Sequence, residues 1–373
     1  MMTNSRQRTR GRVVRWGGRG ALAVLALGLT LPGVATARGS TVAVATPHVI
    51  ATIPVGTHPV AVAVDPVAHR AYIINQEGSS VSVIDTRRAA VVATLPVGRL
   101  PTAVALDPAA HHVYVTNYDD NTLSVLDTIR PTVLATLRMG KGPVGVAVDS
   151  AAHRIYVVNQ FGDSVSVLDT RRNTVVATIP VPTDNSALAL DLVTHQAYVL
   201  SLDYGRVSVI DTSRDIVVAT IPVGHYPFDV AVDPAAHRAY VTNYGDSTVS
   251  VLNTRHTALI ATIPVGDGPD AVAVDPAAHR AYVANDDDIV SVLDTHRDAV
   301  VATVHVGRFP VGVAVDPTAH RAYVANDDDN TVSVIDTSRD ADLDARRRAH
   351  RPRPRPDRPA ASPDRRADRN PHL

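Results

Sequence analysis

The chain has 373 residues, enough for one large domain or two ordinary ones, and is 45% hydrophobic but only 4% aromatic. A core must then be aliphatic, and the lack of cysteine excludes disulfides, thiolate metal sites, Fe–S clusters, covalently attached haem and cysteine nucleophiles. The formal net charge of −1 conceals segregation: residues 1–37 carry +6 and residues 341–373 carry +5, leaving −12 for 38–340, a balance that disfavours nucleic acid as a partner because phosphate neutralisation needs cationic surface.

In chain order, six arginines (Arg6, Arg8, Arg10, Arg12, Arg15, Arg19) precede an apolar run from Ala21 to Leu31, then Pro32-Gly33 and Ala35-Thr36-Ala37. A basic start, a short apolar run and an Ala-x-Ala site predict a secretory signal over 1–37. The run is shorter than the roughly 20 residues that span a bilayer, so no transmembrane segment is expected in the mature chain. The expected location is secreted, extracellular or cell-surface, periplasmic where an outer membrane exists.

Residues 38–340 are dominated by one repeat. Tyrosine recurs at 72, 114, 156, 198, 240, 282 and 323, in five steps of 42 residues and one of 41. The missing residue falls between Tyr282 and Asp294, as expected of a turn. Each unit reads as four short strands, which in the second are Thr102–Leu106, His112–Asn117, Thr122–Asp127 and Val133–Leu137. Four strands in about 40 residues fit a propeller blade. The small apolar first strand (Ala61-Val62-Ala63-Val64) suits the crowded axis, buried on both faces. The fourth carries Pro54, Pro96, Pro180, Pro222 or Pro264, which belongs on an outer edge because proline cannot donate to a ladder. A fourth-type strand at Val49–Val55 precedes the first blade, while the last blade stops after Thr337. The reading is all-β, a seven-bladed propeller with four antiparallel strands per blade, closed by strand 49–55 completing blade seven. Residues 341–373, rich in Arg, Pro and Asp, are expected to be a disordered tail.

Tyr114-Val115-Thr116-Asn117 and Tyr240-Val241-Thr242-Asn243, with Ile-Pro-Val-Gly at 53–56, 221–224 and 263–266 and Val-Ser-Val-Ile-Asp-Thr at 81–86, resemble the YVTN-type β-propeller family of exported and surface-layer proteins. The resemblance covers about residues 48–338 and implies the fold, but says almost nothing about function. The chain is similar, more loosely, to lactonase-type and quinoprotein-type propellers.

Most repeated residues have structural work. Asp-Pro at 65–66 and its equivalents starts a turn. The seven repeated histidines (His69, His111, His153, His195, His237, His279, His320) lie on separate blades, too far apart to share a metal, and read as hairpin residues bonding nearby backbone. The informative positions are the loops between blades and the turns between second and third strands, which open on one face around the channel. The first supply His58, Arg99, Lys141, His225, Tyr226, Arg308 and Phe309, expected as a cationic inner ring for an anionic ligand or peptide. The second supply Asp119, Asp120, Asp163, Asp203, Asp246, Asp286, Asp287, Asp288, Asp327, Asp328 and Asp329. Of these, Asp286–Asp288 and Asp327–Asp329 are weighed as a Ca²⁺ site against plain turn chemistry; no other cofactor is expected. Blade four departs from the pattern at Pro182, Asp184-Asn185, Leu192 and Ser201, as a contact surface or as drift.

Two functions follow. The preferred one is a non-enzymatic exported scaffold, expected to be monomeric, contacting protein, cell wall or glycan through the channel-face loops. The alternative is a lactonase-type hydrolase or other propeller enzyme with a small-molecule or metal site in the channel. There is no nucleophile elbow and no Cys-x-x-Cys-His, and the only tryptophan, Trp16, lies in the predicted signal.

Overall fold

Aspartate-rich turns cut the chain every six or seven residues, so no strand grows long enough to leave its own blade. In the computed structural model, which describes residues 47–338, these segments form seven four-stranded antiparallel sheets. The predicted signal and the Arg/Pro-rich tail lie outside the described residues. Blade one spans 59–96, blade two 101–138, blade three 143–180, blade four 185–222, blade five 227–264 and blade six 269–305. Blade seven takes three strands from 310–336 and its fourth, His48–Pro54, from the other end of the chain. His48 faces Asp336 and Pro54 faces Thr331. The protein is a seven-bladed β-propeller closed by this strand. The residue missing from the repeat is absent from the turn joining second and third strands of blade six, where Asp286–Asp288 alone separate Asn285 from Ile289.

Burial follows strand position. Second and third strands are almost wholly buried, as in Arg154–Asn159 and Ser164–Asp169 of blade three. Fourth strands alternate exposed and half-buried residues, as an outer edge must, and close on the expected prolines. First strands depart from expectation. They are not buried on both faces but are half-exposed along most of their length in blades one and two. These seven strands pack side by side in a ring, and the exposure is to the channel they enclose.

The core is a set of seams. Each of the seven hydrophobic clusters joins two neighbouring blades, including Ile53, Tyr323, Val332 and Val334 of blade seven with Ala71, Ile73 and Ile84 of blade one. The repeat tyrosines are at most 2% exposed and supply the large surface that aliphatic blades otherwise lack. Tyr156 and Tyr198 also donate across a seam, to the carbonyls of Thr212 (3.3 Å) and Thr254 (3.4 Å).

The repeated polar residues are spent on this frame. Each repeated histidine adopts a left-handed backbone, φ between 50° and 57°, a region in which histidine is enriched among non-glycine residues. Its carbonyl accepts the amide of the threonine ending the third strand, as Thr86 N–H to His69 (3.1 Å). The motif asparagine is fully buried. Asn75 donates to Ser80 and Ser82 (3.1 and 2.9 Å) and accepts the Gly56 amide (3.1 Å). That contact explains the repeated glycine, since a Cβ on Gly56 would lie 2.5 Å from the Asn75 amide carbon.

Candidate functional site

The loops between blades and the turns between second and third strands open on the same face, because both lie at the same end of the strands. They are clamped together by backbone bonds such as Gln76 N–H to His58 (2.7 Å) and Tyr244 N–H to Tyr226 (3.0 Å). Each loop between blades is thereby tied to a neighbouring turn.

The two expected charge rings do not stand apart. Arg99 engages Asp120 through its amide and Nε (both 2.7 Å), and Arg308 engages Asp329 likewise (2.8 and 2.7 Å). His225 repeats the arrangement with Asp246 (2.7 and 2.8 Å). The arginine backbone and side chain together hold Asp120 and Asp329 below the usual carboxylate range, and His225 does the same for Asp246. The cationic inner ring is therefore largely neutralised by its own turns, and these exposed pairs lie on the rim. Lys141 is exposed and makes no ion pair among the described residues. Tyr226 is exposed and Phe309 half-buried. Both hold left-handed backbone, φ 51° and 53°, which is unusual for bulky residues.

Nor do the six aspartates weighed for Ca²⁺ converge. Asp286 accepts the Tyr244 hydroxyl (2.6 Å), Asp288 the Phe309 amide (3.0 Å), Asp327 pairs with His58 (2.9 Å) and Asp329 with Arg308. Among the described residues no group of three or more His, Asp or Glu side chains is placed to hold a metal. Asp286, Asp288, Asp327 and Asp329 each engage a different neighbouring segment rather than a common centre. On blade four, Asp203 lies beside Asp184, and burial with that neighbour raises its pKa.

The divergence of blade four is a compensated exchange. Where other blades place asparagine at the end of the second strand, Ser201 donates to Asn185 Oδ1 (3.1 Å), and Asn185, now on the first strand, donates to the Pro182 carbonyl. The amide has crossed to the neighbouring strand. Pro182 replaces the glycine because no asparagine presses on it there.

The structure adds residues that the loop reading missed. The first strands of blades five and six, Pro227–Asp233 and Pro269–Asp275, carry Phe228-Asp229 and Asp270 just beyond their opening prolines. A bulge interrupts the pairing at this level in every blade, between Pro269 and Ala271 in blade six, and bulges re-aim side chains. Asp229 accepts the amides of Val230 (2.8 Å) and, across the seam, Val272 (3.0 Å). Burial outweighs those bonds and pushes it up to about 6. Asp286 is also pushed up to about 6 by burial. Asp270 is 8% exposed, and burial with Asp286, Asp229 and Asp327 nearby raises it well above the carboxylate range. Phe228 is 41% exposed and stacks at a tilt on Tyr244, ring centres 5.7 Å apart. The signal lay in the repeat itself. Equivalent positions elsewhere read Val60-Ala61, Thr102-Ala103, Val144-Gly145, Ser186-Ala187 and Val311-Gly312, so acids stand out in blades five and six. Two clefts of about 420 and 540 Å³, one beside the outer strands of blades six and seven and one between blades three and four, include none of these acids.

No family model matches the chain, and no curated protein matches it. Among solved structures it is similar to the Kuenenia stuttgartiensis hydrazine synthase, at 22% identity with a TM-score of 0.68, over 75% of this chain and 96% of that one. At that identity the likeness shows the propeller fold. Among the described residues no helix is long and apolar enough to cross a membrane.

Proposed function

We propose that this propeller is a non-enzymatic exported scaffold that binds its partner, a protein or cell-envelope component, through the channel face. One observation carries the reading: loops of unlike sequence from all the blades meet on this one face and expose Arg99, His225 and Arg308 there, while repeated side chains such as Asn75 hydrogen-bond within the frame. Sites grafted onto a repeated fold appear where the repeat breaks. The motifs' resemblance to YVTN-type repeats and the basic, apolar N-terminal stretch support export. The test is retention of the full chain on envelopes of the producing organism. Joint substitution of Arg99, His225 and Arg308 by alanine should abolish saturable retention, while substitution of exposed outer-strand Val176 and Val218 by serine should not; the reverse pattern overturns the reading.

A second reading, a hydrolase with its site in the channel, draws on Asp286, raised to about 6 and hydrogen-bonded to Tyr244, since poised carboxylates serve acid–base chemistry. Turnover of lactones that is lost in Asp286→Asn would favour it over the scaffold.

A further inference from the structure

We propose that the channel mouth between blades five, six and seven is a site for an alkylammonium group, presented on a chain slender enough to enter beside Phe228. The inference rests on the channel face being the binding surface.

Four carboxylates meet there, and the geometry fixes their neighbourhood. Asp229 reaches across the seam to the Val272 amide (3.0 Å), two residues from Asp270. Asp286 follows Asn285, which pairs with Pro269, and its carboxyl covers Gly268, where a Cβ would meet it at 2.9 Å. Asp327 comes from the next blade and pairs with His58 (2.9 Å), with Glu77 on the far side of that ring (3.4 Å). His58 is thus shared between two acids. Among the described residues the ion pairs bring no lysine or arginine to Asp229, Asp270, Asp286 or Asp327.

A separate observation points to a ligand. Asp270 is more than nine-tenths buried as a residue, yet no N–H or O–H of the described residues donates to its carboxylate, which opens on the channel, and it makes no ion pair. Oδ1 of Asp286 is itself buried without a donor, although Oδ2 takes the Tyr244 hydroxyl. Buried acceptors are nearly always satisfied, and a carboxylate left without a donor is expensive. These acceptors call for N–H donors carrying positive charge. A primary ammonium offers three. Its methylene stem has an apolar neighbour in the exposed Phe228, whose ring and that of Tyr244 also attract a cation. A divalent metal fits less well, because no three carboxylates are placed to hold one.

The ammonium can come from a free amine or from a lysine of a partner protein. Isothermal titration of the full chain with 1,5-diaminopentane and with Nα-acetyl-lysine methylamide separates the two, the tighter ligand naming the source. Saturable binding at or below about 1 mM is expected, with proton release that grows as the buffer is made more acidic toward pH 6. Asp270→Asn should weaken it at least tenfold, whereas Asp328→Asn, which removes an exposed charge from the same face, should change it less than twofold. Tetramethylammonium, which has no N–H, should not compete. Several outcomes overturn the proposal: no saturation by about 10 mM, equal weakening in both variants, or displacement of the amine by a lower concentration of Ca²⁺. Envelope retention through Arg99, His225 and Arg308 without amine binding would defeat this inference alone. Amine binding with retention through the outer strands would defeat the scaffold reading.

Discussion

At the scale of single residues, buried amides of the motif asparagines tie second strands to third. Asn243 donates to Thr248 and Ser250 and accepts the Gly224 amide. Asn243→Ala removes the amide from three partners at once, which at about 1–3 kcal/mol for unsatisfied buried groups should be plain in urea denaturation. Ser201→Asn tests the blade-four exchange from the opposite side. It restores the repeat's own residue, yet it should destabilise by a similar ~1–3 kcal/mol, because Asn185 already fills that space; a stabilised variant would show the exchange is not compensatory. The buried acids give a pH dependence. Asp229 and Asp286 bind protons more tightly folded than unfolded, with folded values of about 6, so stability present near pH 4 is lost as pH rises through 6. Asp120, Asp246 and Asp329 act in the opposite sense, their contribution lost as pH falls below the ordinary carboxylate value. Melting temperature should therefore peak in mildly acidic buffer. Asp270→Asn should raise it at pH 7.5 and leave it nearly unchanged at pH 4.5.

At the scale of strands and turns, the sequence was legible wherever a residue repeats. The second-blade strands expected at 102–106, 112–117, 122–127 and 133–137 are found at Pro101–Asp107, His112–Asn117, Thr122–Asp127 and Thr132–Arg138. The closing strand was legible by counting, and the one-residue deletion by its phase. What escaped was partnership. That Arg99 and Asp120 neutralise each other depends on two segments 21 residues apart meeting at 2.7 Å, which composition by loop does not reveal. The acids of the channel were hidden because Asp229 and Asp270 lie within strands expected to be plain apolar packing. The closing strand yields the element-scale prediction: deleting residues 48–54 strips Asp336 to Thr331 of their partners and removes Ile53 from the seam with blade one. The melting temperature should fall by more than about 10 °C; an unchanged value would mean the ring does not depend on its clasp.

At the scale of the whole molecule, seven seams of similar make close on themselves, so no blade has a free flank. Arginines reinforce alternate seams on the face away from the site. Arg154 reaches Asp215 (3.0 Å) and the Thr212 carbonyl, Arg238 reaches Asp298 and the Thr295 carbonyl, and Arg321 reaches the Thr86 carbonyl (2.7 Å). Circular permutation tests how much the ring relies on its clasp. Joining residue 338 to residue 47 by a short linker and opening the chain between 140 and 141 leaves every blade with four strands from one continuous stretch. Such a permutant should fold but unfold faster in guanidinium than the parent, because no strand then locks one end of the chain to the other. Equal unfolding rates would show that seam packing alone sets the barrier.

The clasp also dictates an order of events in time. Strand His48–Pro54 is made before any blade, yet its partner, Thr331–Asp336, is made after all of them. Bringing the two together closes a loop of nearly the whole propeller, an entropic term on the order of 5 kcal/mol for a few hundred residues, though intervening blades that have already formed shorten the gap. Local hairpins within blades can form as they emerge, but blade seven cannot be finished until synthesis has passed residue 336. During that interval the opening strand is an unpaired edge, with Ile53, buried in the finished ring, still without its Val332 and Val334 neighbours, and the proline at its end helps keep that edge from finding a stranger first.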